Sequence, residues 1–189
     1  MKRAIVEPAV LAGTALDELK QWLAISVPRE DAPLTALLRT SMDICEAFTG
    51  TLPLESLCEE VLTASGEWQC LATRPVQAIT AVDALPVGEA RYALPTEAYA
   101  IDLDADGGGM VRLTGRITGA MTGSVRGSRI AVRFTAGLAP GWDSLPESLR
   151  HGIIRLAAHH YRERDRDPGM TPPAAVAALW RPWRRMRLA

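Results

Sequence analysis

The stretch from residue 144 to residue 165 constrains the fold most, because it carries both the start signal of a helix and a regular apolar face. Ser144 and Glu147 have the spacing of a capping box, and Pro146 lies in the first turn, where its missing N–H is tolerated. Alternating charges and the pair Pro168–Gly169 then end the helix. We expect a core helix whose C-terminal end reaches solvent. Its buried face consists of Leu149, Ile153, Leu156, Ala157, His160 and Tyr161.

Two further helices are predicted near the N-terminus. Thr14 and Asp17 repeat the capping-box spacing at the start of a short helix that ends before Pro28. Asp31 has a suitable side chain for the N-cap of a second helix, which Gly50 closes. Two helices joined by a short turn are expected to lie roughly antiparallel. The residues before this pair predict an extended arm that can pack on a neighbouring molecule.

The middle of the chain has the pattern of β-structure. The apolar period changes to two after Gly66 and stays at two until Gly137, with turn residues between the alternating runs. Residues 51–64 fit either a short helix or the approach to a strand. The expected fold class is α+β: a helical bundle of the N-terminal helix pair and a long C-terminal helix, with an inserted antiparallel β region and an extended C-terminal tail. The expected segments are residues 1–65 for the arm and helix pair, 66–137 for the β region, 138–169 for the main helix and 170–189 for the tail.

Composition excludes several classes of function. The formal net charge is −1, so bulk electrostatics does not favour wholesale nucleic-acid binding, although the C-terminal third is locally rich in Arg. The three cysteines contain no CxxC pair, which indicates reduced thiols in a reducing cytoplasm rather than disulfides or a zinc site. We expect neither a signal peptide nor a membrane-spanning segment.

Two groups of residues have some features of metal sites. The run Asp102–Gly107 matches the first half of a calcium-binding loop, but the twelfth position is Leu113, so a β-hairpin turn is favoured. His160 and Glu163 have the spacing of metal ligands in helical bundles, yet such sites need ligands from other helices. A metal-dependent enzyme using His159, His160 and the aspartates of that run is a weak alternative. No nucleophile motif is present, and we expect no catalytic site, metal or cofactor.

The C-terminal ten residues combine aromatic and basic side chains without any acid. Three interpretations stay open: the tryptophans fold back over the helices, the segment docks on another protein, or it contacts DNA with Arg on phosphate and Trp stacked on bases. Protein docking is favoured because Trp and Arg are enriched at binding hot spots and Lys is nearly absent. The residues concerned are Trp180, Trp183, Arg184, Arg185 and Arg187.

Three stretches match one group of structural proteins in the same order along the chain. The opening match is a short helix at residues 16–23, an acidic turn, and a longer helix from residue 34 to residue 50. The chain thereby resembles the head-tail connector proteins, or adaptors, of tailed phages and gene transfer agents. The second match is a strand ending at Ala136–Gly137, followed by Pro146, Leu149, Ile153, Leu156, His159, Tyr161 and Arg164. The closing match consists of Pro173, Val176, Ala178, Leu179, Pro182, Arg184 and Leu188.

The resemblance implies a structural subunit of the neck of a virion or phage-like particle, present in the cytoplasm before assembly. It implies a ring of about twelve copies between the portal protein and a tail-side stopper or tail terminator protein, with DNA passing through an axial channel. It assigns portal docking to the five Trp and Arg residues of the tail. The alternative is a small nucleic-acid-binding module that uses the same tail. Because a ring needs two complementary faces, the subunit interface is expected to include the N-terminal arm and Arg162, Glu163, Arg164 and Asp165.

Overall fold

The computed structural model describes residues 3–114, 129–163 and 171–184. The chain forms two compact units. One, the β unit, comprises Met1–Pro8 and Glu55–Gly137, and the other, the helical unit, comprises Ala9–Leu54 and Leu138–Ala189. No helix within the described ranges is both long enough and apolar enough to cross a membrane.

The helical unit is built around its third helix, which packs against the other three. The second helix ends at Gly50, which adopts the left-handed conformation (φ +74°) that a residue without a side chain tolerates best. Short 3₁₀ turns precede the second and third helices and follow the fourth. The helices are α1 (Gly13–Leu23), α2 (Asp31–Thr49), α3 (Glu147–Arg162) and α4 (Ala174–Trp180).

The core of the helical unit follows the apolar periodicity of the sequence. Leu149, Ile153 and Leu156 on α3 are fully buried, as the spacing of that face predicts. Each side chain of this size contributes about 1.5–3 kcal/mol when it leaves water. The other large, fully buried side chains of this unit are Leu19, Leu34, Leu38, Trp142 and Trp180.

The β unit contains two antiparallel sheets. The five-stranded sheet has the order β1-β2-β8-β4-β5 and the three-stranded sheet has the order β3-β7-β6. Strand β8 is central, with Val132 opposite Glu60 on β2 and Val82 on β4, and its apolar side chains are buried. The strands are β1 (Arg3–Glu7), β2 (Ser56–Thr63), β3 (Gln69–Cys70), β4 (Val76–Leu85), β5 (Tyr92–Ala93), β6 (Tyr99–Leu103), β7 (Gly109–Leu113) and β8 (Arg129–Ala136).

The predicted helical bundle with a long C-terminal helix, an inserted β region and an extended tail is wrong. The β-structure forms two sheets in a unit of its own, and α2, with 19 residues, is longer than α3, with 16. Residues 174–183 fold as α4 and a 3₁₀ turn instead of an extended tail. The local pattern failed because β2 buries two polar residues, Ser56 and Glu60, and leaves Leu57 and Val61 on its other, partly exposed face, so apolar residues do not mark a period of two. The mixture of helices and antiparallel strands remains α+β.

Candidate functional site

The C-terminal segment of the helical unit lies against α3. The side chain of Trp180 is fully buried, contacts the backbone position of Gly152, and directs its indole N–H at the carbonyl of Leu149 over 3.4 Å. Trp183 is half-buried and donates its indole N–H to Ser148 Oγ at 2.8 Å. Both tryptophans therefore belong to this chain's own packing.

The arginines of the same segment have a different environment. Arg181 and Arg184 are exposed, and the Arg184 guanidinium lies 5.5 Å from the centre of the Phe48 ring, within the range of a cation–π contact. Arg185 and Arg187, the other two predicted docking residues, lie outside the described residues. Arg181 and Arg184 thus face solvent, whereas the indoles of Trp180 and Trp183 pack against α3.

One feature of the sequence marks this packing in advance. Gly152 lies in the interior of α3, where glycine costs about 1 kcal/mol relative to alanine. A glycine in such a place indicates that another group approaches the helix closely. Here that group is the indole of Trp180, which would overlap a Cβ at position 152.

A basic hollow of about 360 Å³ opens beside α3. Arg155, His159 and Arg162, which follow helical spacing on α3, line it together with Trp22 of α1. Neither Arg155 nor Arg162 forms an ion pair with another residue of the described ranges. The rest of the lining is Glu163 with Pro173, Ala175 and Val176 at the start of α4.

The hollow contains two of the residues predicted for the subunit interface. Arg162 is exposed and Glu163 is partly buried, and both line the hollow. Arg164 and Asp165 lie outside the described residues. The charged helix end that the sequence singled out is therefore next to an exposed tryptophan, which the sequence alone did not connect with it.

Trp22 also lines a second hollow, of about 380 Å³, on its other side. The Trp22 ring stands nearly perpendicular to the His151 ring, with 5.2 Å between ring centres. Here two carboxylates face one guanidinium, because Arg150 pairs with Glu147 at 2.7 Å and lies 3.7 Å from Glu18. Trp22 thus lines one hollow with an excess of acid and one with an excess of base.

The histidines of α3 do not form part of a metal centre in the described ranges. No group of three or more His, Cys, Asp or Glu side chains that could hold a metal ion occurs in residues 3–114, 129–163 and 171–184. Burial lowers the pKa of His160, and the neighbouring charge of His159 lowers it further.

The aspartate-rich run of the sequence forms the turn between β6 and β7, which confirms the predicted hairpin. Asp104 accepts a hydrogen bond from the N–H of Gly108 at 2.6 Å, and Gly107 adopts φ +74°. Asp102 and Asp106 are exposed. The aspartates therefore serve a turn and place negative charge at its surface.

Sequence reasoning missed one polar site, a buried carboxylate in the β unit. Glu60 on β2 is fully buried and accepts hydrogen bonds from the N–H of Ala72 at 2.8 Å, the N–H of Thr73 at 2.9 Å and the hydroxyl of Thr73 at 2.6 Å. A carboxylate held by three donors is satisfied and anchors the segment that follows β3. The available signal was that Glu60 occupies an inward position of β2, in register with Cys58 and Leu62.

Comparison with known proteins gives one consistent result. No family model and no curated protein matches this sequence. Solved structures do match: a chain from the neck of an empty gene transfer agent (GTA) particle, computed with C6 symmetry, has a TM-score of 0.76 and 26% identity, and the match covers 100% of this chain and 98% of that chain. A chain from the virion of a native GTA particle has a TM-score of 0.74 with the same identity and coverage. A chain from the neck of a native GTA particle, computed with C12 symmetry, has a TM-score of 0.72 and 26% identity over 98% of this chain and 97% of that chain.

Proposed function

We propose that this chain is a structural subunit of the neck of a GTA-like or phage-like particle, where it acts as an adaptor between the capsid portal and the tail. The observation that carries the proposal is the end-to-end match to a chain of a GTA neck, at a TM-score of 0.76 over 100% of this chain and 98% of that one. A match that covers almost all of both chains includes both units and is not limited to one widespread motif. It therefore argues for a shared role more strongly than a shared fold of one unit would.

In this role the chain forms a ring with other copies of itself. The matching neck structures were computed with C6 and C12 symmetry, which is the arrangement of repeated chains around an axis. In a closed ring each subunit uses two different, complementary faces. Arg162 and Glu163, with Arg164 and Asp165 next in sequence, contribute to one of these faces.

Portal docking belongs to the arginines of the C-terminal segment. Arg184 is exposed, and Arg185 and Arg187 follow it in the sequence. Trp180 and Trp183 act indirectly, because their contacts with α3 hold the backbone that carries Arg184. The tail-side face receives a stopper or tail terminator protein, and DNA passes through the channel that the ring surrounds.

The alternative, a nucleic-acid-binding module built on the C-terminal Arg/Trp tail, fits the geometry less well. Stacking on bases requires exposed aromatic faces, whereas Trp180 is fully buried and Trp183 is half-buried with its N–H bonded to Ser148. The likeness to structural chains of a particle also favours a structural role over an enzymatic one.

The test mixes the purified chain with portal rings and follows complex formation by negative-stain imaging and light scattering. The variant is Arg184→Glu with Arg187→Glu, and the matched control is Arg29→Glu with Arg39→Glu, which reverses two exposed charges elsewhere in the helical unit. We expect the wild type and the control to decorate the portal and the variant to lose at least tenfold in binding. Truncation after Met170 is unsuitable because it would remove Trp180 from the core.

The two functions give opposite outcomes in this experiment. A wild-type chain that ignores the portal but binds duplex DNA, with an affinity that falls steeply as salt rises, would replace the adaptor by the nucleic-acid alternative. If the variant and the control bind the portal equally well, the proposed adaptor role stands, but Arg184 and Arg187 are not its docking residues.

A further inference from the structure

The basic hollow beside α3 has the chemistry of a binding surface for an acidic, partly apolar segment. It is lined by Trp22, which remains 43% exposed, and by three basic side chains and one acid, Arg155, His159, Arg162 and Glu163. An exposed indole next to unpaired guanidinium groups is the composition of an interface hot spot.

A complementary surface occurs on the same chain, at the β6–β7 hairpin. β6 is an edge strand of the three-stranded sheet, and two of its aliphatic side chains, Ile101 and Leu103, are 45% and 42% exposed. Asp102 alternates with them along the strand, and Asp104 and Asp106 follow in the turn. We call residues 101–106 the hairpin tip.

We propose that the hairpin tip of one copy binds in the basic hollow of the adjacent copy, so that this contact is the repeating interface of the ring. This inference rests on the proposed neck function and adds the identity of the two faces. The aliphatic side chains of the tip contact Trp22, and the carboxylates of the tip contact the guanidinium groups of Arg155 and Arg162. An edge strand placed in a groove can use both of its faces in this way, because its side chains alternate.

Charge and apolar surface argue for a second copy over duplex DNA as the occupant. Phosphates would satisfy the arginines of the hollow but would leave Ile101 and Leu103 of the tip exposed. An exposed apolar edge strand is a template for unwanted pairing, so a protein benefits when a partner covers it. Because the tip and the hollow are different surfaces, their contact is heterologous and repeats from copy to copy, which is the type of contact that a ring requires.

The test uses charge reversal on each face and then a mixture of the two variants. Arg155→Glu reverses the hollow and Asp102→Arg reverses the tip, and each alone brings like charges together. In a one-to-one mixture, the natural tip of Arg155→Glu meets the natural hollow of Asp102→Arg. The reversed tip of Asp102→Arg meets the reversed hollow of Arg155→Glu. Opposite charges therefore meet at both kinds of contact. Alternating rings with an even number of subunits are therefore possible only in the mixture. Arg39→Glu and Glu89→Arg, two exposed residues outside both surfaces, are the matched controls.

Self-association is measured by sedimentation velocity over a concentration series at low salt, for the chain alone and on portal rings. We expect the wild type and both controls to associate, each single variant to associate at least tenfold more weakly, and the mixture to recover wild-type association. The same pattern in either setting supports the interface. Circular dichroism verifies that each variant is folded.

Other results overturn the inference. Single variants that associate like the wild type, or a mixture that stays as weak as its components, would exclude this pair of surfaces. The wild type could bind the portal while the variants show no loss and recovery of association, either alone or on portal rings. That result would leave the neck function intact and exclude the contact between tip and hollow. Loss of duplex DNA binding in Arg155→Glu without any change in association would assign the hollow to DNA.

Discussion

Gly152 of α3 and Trp180 of α4 are in direct contact, and the contact requires that position 152 has no side chain. A Cβ built on Gly152 would overlap the Nε1, Cε2 and Cδ1 atoms of the indole. The ring is fully buried, and its N–H points at the carbonyl of Leu149, one turn earlier on α3. The C-terminal helix is therefore held by a specific fit between a glycine and a tryptophan.

Gly152→Ala is expected to destabilise the helical unit. The added methyl group overlaps a fully buried ring, and overpacking of this kind costs about 1–3 kcal/mol. Urea unfolding followed by tryptophan fluorescence and circular dichroism measures the change. The control is Gly13→Ala, where a Cβ meets no atom within 4 Å. Equal stability of the two variants would show that α4 does not pack as described.

Trp180→Ala is expected to lose about 3–5 kcal/mol of stability, because it removes a fully buried indole and leaves a cavity. Arg184→Ala, four residues further on and exposed, is expected to change stability by less than about 0.5 kcal/mol. Thermal unfolding of the two variants gives the comparison. If Trp180→Ala were as stable as Arg184→Ala, Trp180 would be available as a surface docking residue after all.

The sequence predicted local elements well where one periodicity was clear. The closure of α2 at Gly50 and the hairpin at residues 102–107 are predicted from the sequence and are confirmed. Each of them depends on residues close in sequence: caps, turn glycines and the spacing of apolar side chains. These signals act within one or two turns of the chain, so a local pattern contains them.

The capping boxes failed because their hydroxyl groups bond to other partners, distant in the sequence for Thr14 and local for Ser144. Thr14 Oγ1 donates to Asp143 Oδ1 at 3.1 Å, and the N-cap of α1 is Ala12. Ser144 lies in the 3₁₀ turn before α3, where its Oγ bonds to the backbone of Gly141, and α3 begins at Glu147. A hydroxyl that can bond to a distant partner has no fixed role that sequence spacing can reveal.

The candidate surfaces were harder to predict than the elements. The burial of Trp180 and the exposure of Trp22 depend on which helices meet, and no local pattern distinguishes the two tryptophans. The composition of the sequence marks the charged end of α3. Its proximity to Trp22 depends on the packing of α1 on α3, which the sequence does not show. Long-range packing therefore decides which side chains of an amphipathic segment form a surface.

Glu60→Gln is expected to destabilise the β unit. The carboxylate accepts three hydrogen bonds from Ala72 and Thr73, and a side-chain amide would turn an N–H toward at least one of those donors. Leaving a buried donor without an acceptor costs about 1–3 kcal/mol. Urea unfolding compares this variant with Glu67→Gln, an exposed position in the same unit. A Glu60→Gln variant as stable as the control would exclude the anchoring role of the carboxylate.

The thiols are expected to differ in reactivity. Burial raises the pKa of Cys45 to about 12, and the charge of Glu46 adds to the effect. Because the thiolate is the reactive form, a thiol with this pKa is roughly one part in ten thousand ionised at pH 8. Cys58 is also buried, whereas Cys70 is exposed. Mass spectrometry after iodoacetamide treatment at pH 8 is expected to find Cys70 modified first in the folded protein and all three after unfolding. Early modification of Cys45 would contradict its buried position.

Acid is expected to weaken the fold through His160. Its pKa in the folded chain lies below the ordinary value of 6.5, so between these two values the unfolded chain binds a proton that the folded chain does not. The free energy of unfolding therefore decreases as the pH falls through 6.5 and below, and the contribution of this group is fully present above that pH. His160→Gln removes the titrating group and is expected to flatten this part of the profile, whereas His151→Gln, at an exposed position of the same helix, retains it. Urea midpoints at several pH values between 5 and 8 measure both slopes. Parallel profiles for the wild type and His160→Gln would show that burial of this imidazole does not couple protonation to folding.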